Sequence, residues 1–153
     1  MAEVQVVPAG FAAVLPYLVI KNAAAAFDFY QKAFGAETTL RMNMPSGAVM
    51  HAEMRIGNAT FMFSEQSDDW GTKSPDMLGA SPVTLMLYVP DVDAFVARAE
   101  AAGAIITMPV SDQFWGDRSG CLQDPFGHNW MISTHIEDVS EEEMAKRAAQ
   151  MFG

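Results

Sequence analysis

Two stretches of the chain carry the same succession of apolar and polar positions. Leu15 to Ala36 reads LPYLVIKNAAAAFDFYQKAFGA, and the segment starting 69 residues later, Thr84 to Ala104, reads TLMLYVPDVDAFVARAEAAGA. Each has an apolar run of strand length, a polar break (Lys21-Asn22; Pro90-Asp91), an amphipathic stretch and a closing Gly-Ala. Ala26, Phe27, Tyr30 and Phe34 recur at helical spacing, as do Val92, Phe95, Val96 and Ala99. Asn22 and Asp91 are placed to accept hydrogen bonds from the first helical amides, and Gly35 and Gly103 to take the positive φ of a helix C-cap.

The pattern after each helix repeats as well. The first copy predicts strands over 38–44, 48–56 and 59–64, divided by Pro45-Ser46-Gly47 and Gly57-Asn58. The second predicts strands over 105–110, 119–122 and 129–134, divided by Trp115-Gly116-Asp117 and Asp124-Pro125-Phe126-Gly127-His128. Such Pro, Gly and Asn/Asp clusters between β-rich runs are hairpin signals. The chain therefore reads as a single domain of class α+β, built from two βαβββ modules in tandem over 12–64 and 83–136. Residues 65–82 read as a linker. A final helix is predicted over 140–152, where Ser140 and Glu143 suggest a capping box. One helix covers one sheet face, so about 70 residues per module leave the other face needing a partner. Curved mixed sheets that meet this way are expected to form a cleft.

Composition narrows the partners. Nineteen acidic against nine basic residues give a net charge of −10 over 153 residues. That balance argues against phosphate-backbone binding and against anionic membrane surfaces, which both need clustered cations. No apolar run approaches a membrane span. The lone Cys121 excludes an intrachain disulfide framework, and with no basic start at the N-terminus a cytoplasmic location is expected. The ligand class left is a small organic molecule.

The repeat, AAFDFYQKAFGAE and DPFGHNW together resemble the vicinal oxygen chelate superfamily of glyoxalases, extradiol dioxygenases and bleomycin-resistance proteins. MHAEMRIGNA and DQFWGDRSG resemble its PhnB-like branch. The resemblance implies a homodimer, and implies metal-ligand slots on the first and fourth strand of each module. Counting from the caps and turns places those slots at Leu15, Phe61, Thr84 and Met131. A one-residue shift puts Pro16 and Leu85 in the first-strand slots. None offers the imidazole, carboxylate or thiolate that a divalent metal prefers, so neither a metal nor a cofactor is expected.

Strand alternation then suggests the lining of the cleft. It turns Leu15, Tyr17 and Val19 inward, with Thr84, Met86 and Tyr88 as their repeat partners, and adds Phe61, Phe63, Met131 and Ser133. His51 and Glu53 share one face of their strand and suit a base with its orienting partner. They equally suit a solvated polar pair, neutralised by Arg55 or Arg41, or part of a non-standard metal site. Trp115 and Arg118 either clamp a planar or anionic ligand or close their own hairpin. His128 reads as a turn residue, His135 as a surface one and Cys121 as a small buried hydrophobe. The expected ligand-binding set is Tyr17, His51, Glu53, Phe61, Phe63, Tyr88, Trp115, Arg118 and Met131. His51 and Glu53 are the catalytic candidates if there is a reaction. The expected function is metal-independent binding of a small organic molecule. The alternative is a divalent-metal-dependent lyase, isomerase or dioxygenase-like enzyme centred on His51 and Glu53.

Overall fold

The computed structural model describes residues 2–153, and the chain divides between Ala80 and Ser81 into two compact units. The first contains β1 (Tyr17–Ile20), α1 (Ala24–Phe34), β2 (Glu37–Asn43), β3 (Val49–Ile56), β4 (Ala59–Glu65) and the short α2 (Pro75–Leu78). The second contains β5 (Thr84–Tyr88), α3 (Val92–Ala101), β6 (Ile105–Asp112), β7 (Asp117–Gln123), β8 (Asn129–His135) and α4 (Glu141–Phe152). Each unit holds one four-stranded sheet, in order β1-β4-β3-β2 and β5-β8-β7-β6. The first and last strands of each set run parallel and the hairpin partners antiparallel, so both sheets are mixed. The class is α+β with tandem modules, as the repeated pattern predicts.

The core of each unit lies between one helix and one sheet face. In the first unit α1 buries Phe27, Tyr30 and Phe34. Leu18, Ile20, Ala52 and Met54 on the strands are buried as well. Here the fourth strand departs from expectation. Phe61 and Phe63 do not line the open face; they are buried against α1, with Phe63 packed on Phe27 at 4.9 Å and Phe61 on Tyr30 at 5.2 Å between ring centroids. The reason is turn length. Ile56 pairs with Ala59 around the two-residue turn Gly57-Asn58, which sets Met54 opposite Phe61 and Ala52 opposite Phe63. Residues directly opposite share a face. Between β7 and β8 the turn runs from Asp124 to His128, so the same count from its glycine lands on the other face. The repeat counterpart of Met131 is therefore Met62.

In the second unit Val92, Val96 and Ala99 of α3 join Leu122, Trp130 and Ile132 in the core. The DPFGHNW segment is a built turn. The buried Asp124 carboxylate accepts from the backbone N–H of Phe126 and His128 and from the Trp130 indole, each at 3.0 Å. His128 closes this turn through its backbone, in line with its reading as a turn residue.

The helix starts show what the repeat preserves. Asp91 caps α3, accepting from Ala94 N at 3.0 Å. Asn22 does not cap α1: it sits at φ 62°, outside the helix, and Ala23 occupies the N-cap. Its cap role passes to Glu65, whose carboxylate accepts from the backbone N–H of Asn22 and Ala23, both at 2.8 Å. Thr134, at the matching end of β8, does the same for Val92 N at 2.9 Å. Gly35 caps α1 in the left-handed region, whereas α3 ends at Ala102 and its Gly103 follows at φ 118°.

The stretch predicted as a linker has structure of its own. Ser74 is buried, caps α2 and donates to Gln66, while Lys21 on the β1 side pairs with Asp76 at 3.0 Å. At the other end of the chain, Ser140 caps α4 by accepting from Glu143 N. Glu143's carboxylate turns to Arg147 rather than back to the cap. Arg147 also grips Glu137 with two bonds, at 2.9 and 2.7 Å, and the Phe114 carbonyl at 3.3 Å. Gly116 lets this segment come close: its carbonyl accepts from Ile136 and Glu137 N, and a Cβ there would collide with the Glu137 carbonyl. Among the described residues, no helix is long and apolar enough to cross a membrane.

Candidate functional site

The sheet face away from α1 in the first unit carries a chain of polar groups inside an apolar surround. β-pairing sets Leu40, Glu53, Met62 and Tyr17 in one row across four strands, with Met42 and His51 opposite one another in the next. Tyr17 Oη lies 2.9 Å from His51 Nδ1, and His51 Nε2 lies 3.1 Å from Glu53 Oε1. The Tyr17 and His51 rings stack at 5.5 Å and 29°. Tyr17 is half exposed, while the side chains of His51 and Glu53 retain only 24% and 16% of their exposure. An ionised carboxylate can only accept, so Nε2 carries the proton toward Glu53; neutral imidazole then accepts at Nδ1 and Tyr17 donates. Arg55 does not neutralise Glu53. It pairs with Glu37 at 3.1 Å, and Arg41 lies over the Phe27 ring at 4.2 Å.

The corresponding face of the second unit is chemically different. Met86, Met131 and Cys121 form the row that matches Tyr17, Met62 and Glu53. Ser119 and Ser133 are buried and bonded to one another at 2.8 Å. Burial pushes the Cys121 thiol up, which makes it a weaker nucleophile. Cys121 is half-buried rather than enclosed.

Polar groups in this unit gather instead at the start of β7. The buried Asp117 carboxylate accepts from Tyr88 Oη at 2.7 Å and from Trp115 Nε1 at 3.1 Å, and faces His135 Nδ1 at 2.8 Å. Burial alone would raise its pKa; the bonds from His135, Tyr88 and Trp115 outweigh it and hold the carboxyl below its ordinary range. The same contact, with burial, pushes the Tyr88 phenol up. His135 reaches Asp138 with its other nitrogen at 2.7 Å, and these two carboxylates, Asp138 first, raise its pKa. The surface reading of His135 thus gains a structural role.

The sequence leaves Arg118 a choice between clamping a ligand and closing its hairpin. In the structure its guanidinium donates two bonds to Asp93, at 2.7 and 2.9 Å, and one to Asp112 at 2.8 Å. Asp93 and then Asp112 raise its pKa further. Trp115 is half-buried, with its indole N–H on Asp117 and its ring edge-on to Phe114 at 5.1 Å. Trp115 closes its own hairpin on Asp117, whereas Arg118 ties that hairpin, at Asp112, to Asp93 of α3. Strand alternation brings Tyr17, His51 and Glu53 to one face but gives Tyr17 no bond to His51. That bond depends on β1 lying beside β4, a long-range pairing with no local signal. Leu40, Met42 and Met62 are absent from the sequence-derived lining, though the alternation that places His51 and Glu53 extends to them once the register is known.

The metal slots that the family resemblance implies do not fit a metal in either unit. Leu15 and Phe61 in the first, or Met62 in place of Phe61 by the register of β4, and Thr84 and Met131 in the second, supply no imidazole, carboxylate or thiolate. Both nitrogens of His51 are already engaged. Among the described residues, no group of three or more His, Cys, Asp or Glu side chains is arranged to hold a metal ion.

Comparison with known proteins places the chain. An uncharacterised protein of Mycobacterium bovis is 43% identical over 135 residues, covering 86% of this chain and 89% of the relative. The crystal structure of TioX from Micromonospora sp. ML1 superposes with a TM-score of 0.66 at 25% identity, over 82% of this chain and 99% of that one. A PhnB protein from Bacillus cereus shares the fold, with a TM-score of 0.61 at 20% identity over 80% and 99% of the two chains. A family model described as Glyoxalase/Bleomycin resistance protein/Dioxygenase superfamily matches residues 10–132. With the repeated βαβββ topology, this match settles the kinship: the chain belongs to the glyoxalase/bleomycin resistance protein/dioxygenase superfamily.

Proposed function

We propose that this protein binds a small organic molecule on the open sheet face of its first unit, without the metal site of its metal-using relatives. The observation that carries the reading is the setting of Tyr17, His51 and Glu53. Three hydrogen-bonded polar groups stand among Leu40, Met42 and Met62, with Tyr17, Leu40 and Met42 exposed. Apolar surround with a few placed polar groups is the make-up of small-ligand sites. The net charge of −10 and the Glu53 carboxylate favour an uncharged or cationic ligand. Met86, Tyr88 and Met131 offer a second apolar face, where Tyr88 is already committed to Asp117. Met151 and Phe152 stand exposed on α4 and suit pairing of two copies; light scattering showing a monomer at micromolar concentration would reject that homodimer. A cytoplasmic setting fits the single free Cys121.

Titration with Nile red, an uncharged apolar dye, tests the binding. Saturable binding with one site per chain is expected, unchanged by chelator and weakened at least tenfold by Met62→Asp. Binding that is unsaturable, or lost on chelation, would overturn the reading.

A further inference from the structure

Tyr17, His51 and Glu53 are more than a set of anchors. They form an ordered chain with a direction: carboxylate to Nε2, Nδ1 to phenol, phenol half open to the outside. In this order the least exposed side chain is that of Glu53 and the most exposed residue is Tyr17. Glu53 fixes the tautomer that leaves Nδ1 with a lone pair, and that lone pair takes the Tyr17 proton. A hydroxyl activated by a base, which is oriented by a third group, is the arrangement that generates a reactive oxygen at neutral pH. The surround adds two features. Leu40, Met42 and Met62 flank the chain, and Arg55, two residues from Glu53 on the same strand, is engaged by Glu37.

We propose that Tyr17, His51 and Glu53 are a metal-free proton relay that takes a proton from an acidic carbon of an uncharged, apolar molecule. The proposal rests on the binding reading above and adds chemistry to it. In the forward step the substrate C–H bond breaks and its proton joins the Tyr17 oxygen. The Tyr17 O–H proton passes to His51 Nδ1, and the C–H electron pair forms a π bond to the neighbouring atom, whose own bonding pair moves onto an electronegative atom of the substrate. The imidazolium formed is held against Glu53. Return of the proton by the same route to that electronegative atom gives the tautomer, and no other reactant is consumed. Tyr17 is the catalytic residue, His51 its base, and Glu53 a positioning residue that acts through His51.

Nitrobenzisoxazole, an uncharged planar carbon acid, is the probe. Loss of its ring proton to a base turns the C–H pair into a nitrile as the N–O bond breaks, and the coloured cyanophenolate is read directly. Full-length protein with excess chelator should show saturable turnover. Tyr17→Phe should lower kcat roughly 100-fold, within the range of acid–base catalysis, and His51→Gln at least as much. Glu53→Gln should shift the pH–rate profile as well as lower kcat, a change that loss of packing alone would not produce. Asp28→Asn, an exposed change on α1, which covers the other face of the sheet, should leave the rate unaltered. Full activity in Tyr17→Phe with an unchanged melting temperature would overturn the relay. Nile red separates the failures: dye bound without turnover rejects the relay alone, and neither dye nor turnover rejects the site as well.

Discussion

The two sheets share one topology and part company on their open faces. In the first unit the row on the face away from α1 is Tyr17, Met62 and Glu53, with His51 bridging the polar pair. The same row in the second is Met86, Met131 and Cys121, with Ser119 where His51 would fall. Strand order, helix crossover and even capping from the fourth strand survive duplication, Glu65 and Thr134 holding the helix starts. The polar chain does not. In the second unit the titratable groups move to the strand ends, where Asp117, His135 and Asp138 tie the β6–β7 hairpin to the segment before α4. Architecture is therefore held by what repeats, and the candidate chemistry rests on what does not.

The largest effect should come from the first core. Phe63 is fully buried against Phe27, so Phe63→Ala should cost about 3–5 kcal/mol by loss of transfer free energy and opening of a cavity. Chemical denaturation will show this as a lowered midpoint. A variant that keeps its midpoint but loses dye binding would return Phe63 to the open face and refute the register given for β4.

Next is the turn of the second unit. Asp124→Ala leaves two backbone N–H groups and the Trp130 indole without their carboxylate, and should cost about 2–3 kcal/mol. The first unit's Gly57-Asn58 turn is a two-residue hairpin, closed by the pairing of Ile56 with Ala59. Hydrogen exchange should therefore quicken in β7 and β8 and leave β3 and β4 unchanged. Equal loosening of both sheets would mean that the units do not respond independently.

Those two cases mark how far the sequence can be read. The period of 3.6 in α1 and α3 and the turn residues between strands lie along the chain, so both modules and their element order are legible. So is the sharing of one face by His51 and Glu53, since they are two residues apart on one strand. Phe61 and Phe63 are misplaced by a count along the chain because a face depends on turn length, and Gly57-Asn58 and the Asp124–His128 turn differ in it. Asn22 is misread because it has a capping side chain, while the groups that serve α1 come from Glu65, 42 and 43 residues away. Arg118 cannot be assigned from its neighbours, because Asp93 is supplied by another element.

Capping gives a smaller, matched pair of changes. Glu65→Leu removes the acceptor for two amides at α1, whereas Thr134→Val removes one at α3. Losses of about 1–2 and about 0.5–1 kcal/mol are expected, in the range of N-cap substitutions. Calorimetry that reverses this order would show that the two caps are not equivalent parts of the repeat.

The smallest effect is a pH dependence confined to the second unit. His135 has its pKa raised above the ordinary 6.5, by Asp138 first and Asp117 second. A group with a raised folded value stabilises the fold fully below its unfolded value, and that contribution is lost as pH climbs through the folded one. Stability should therefore decline modestly from about pH 6 upward, into the range just above the folded value. The partners do not blur the window: Asp117 is held below its ordinary 3.8, and the Tyr88 phenol lies above 10.0. His135 is half exposed, so solvent screens the pair and the change will be slight. Amide exchange at Ile136 and Glu137, whose N–H groups are bonded to the Gly116 carbonyl, is the sensitive readout. Corrected for the intrinsic rate, it should rise from about pH 6 upward through the raised folded value in the wild type and stay level in His135→Gln. A rise of the same size in that variant would assign the dependence to another group, and the contrast between a histidine that ties strand ends in one unit and one held on the sheet face in the other would lose its physical basis.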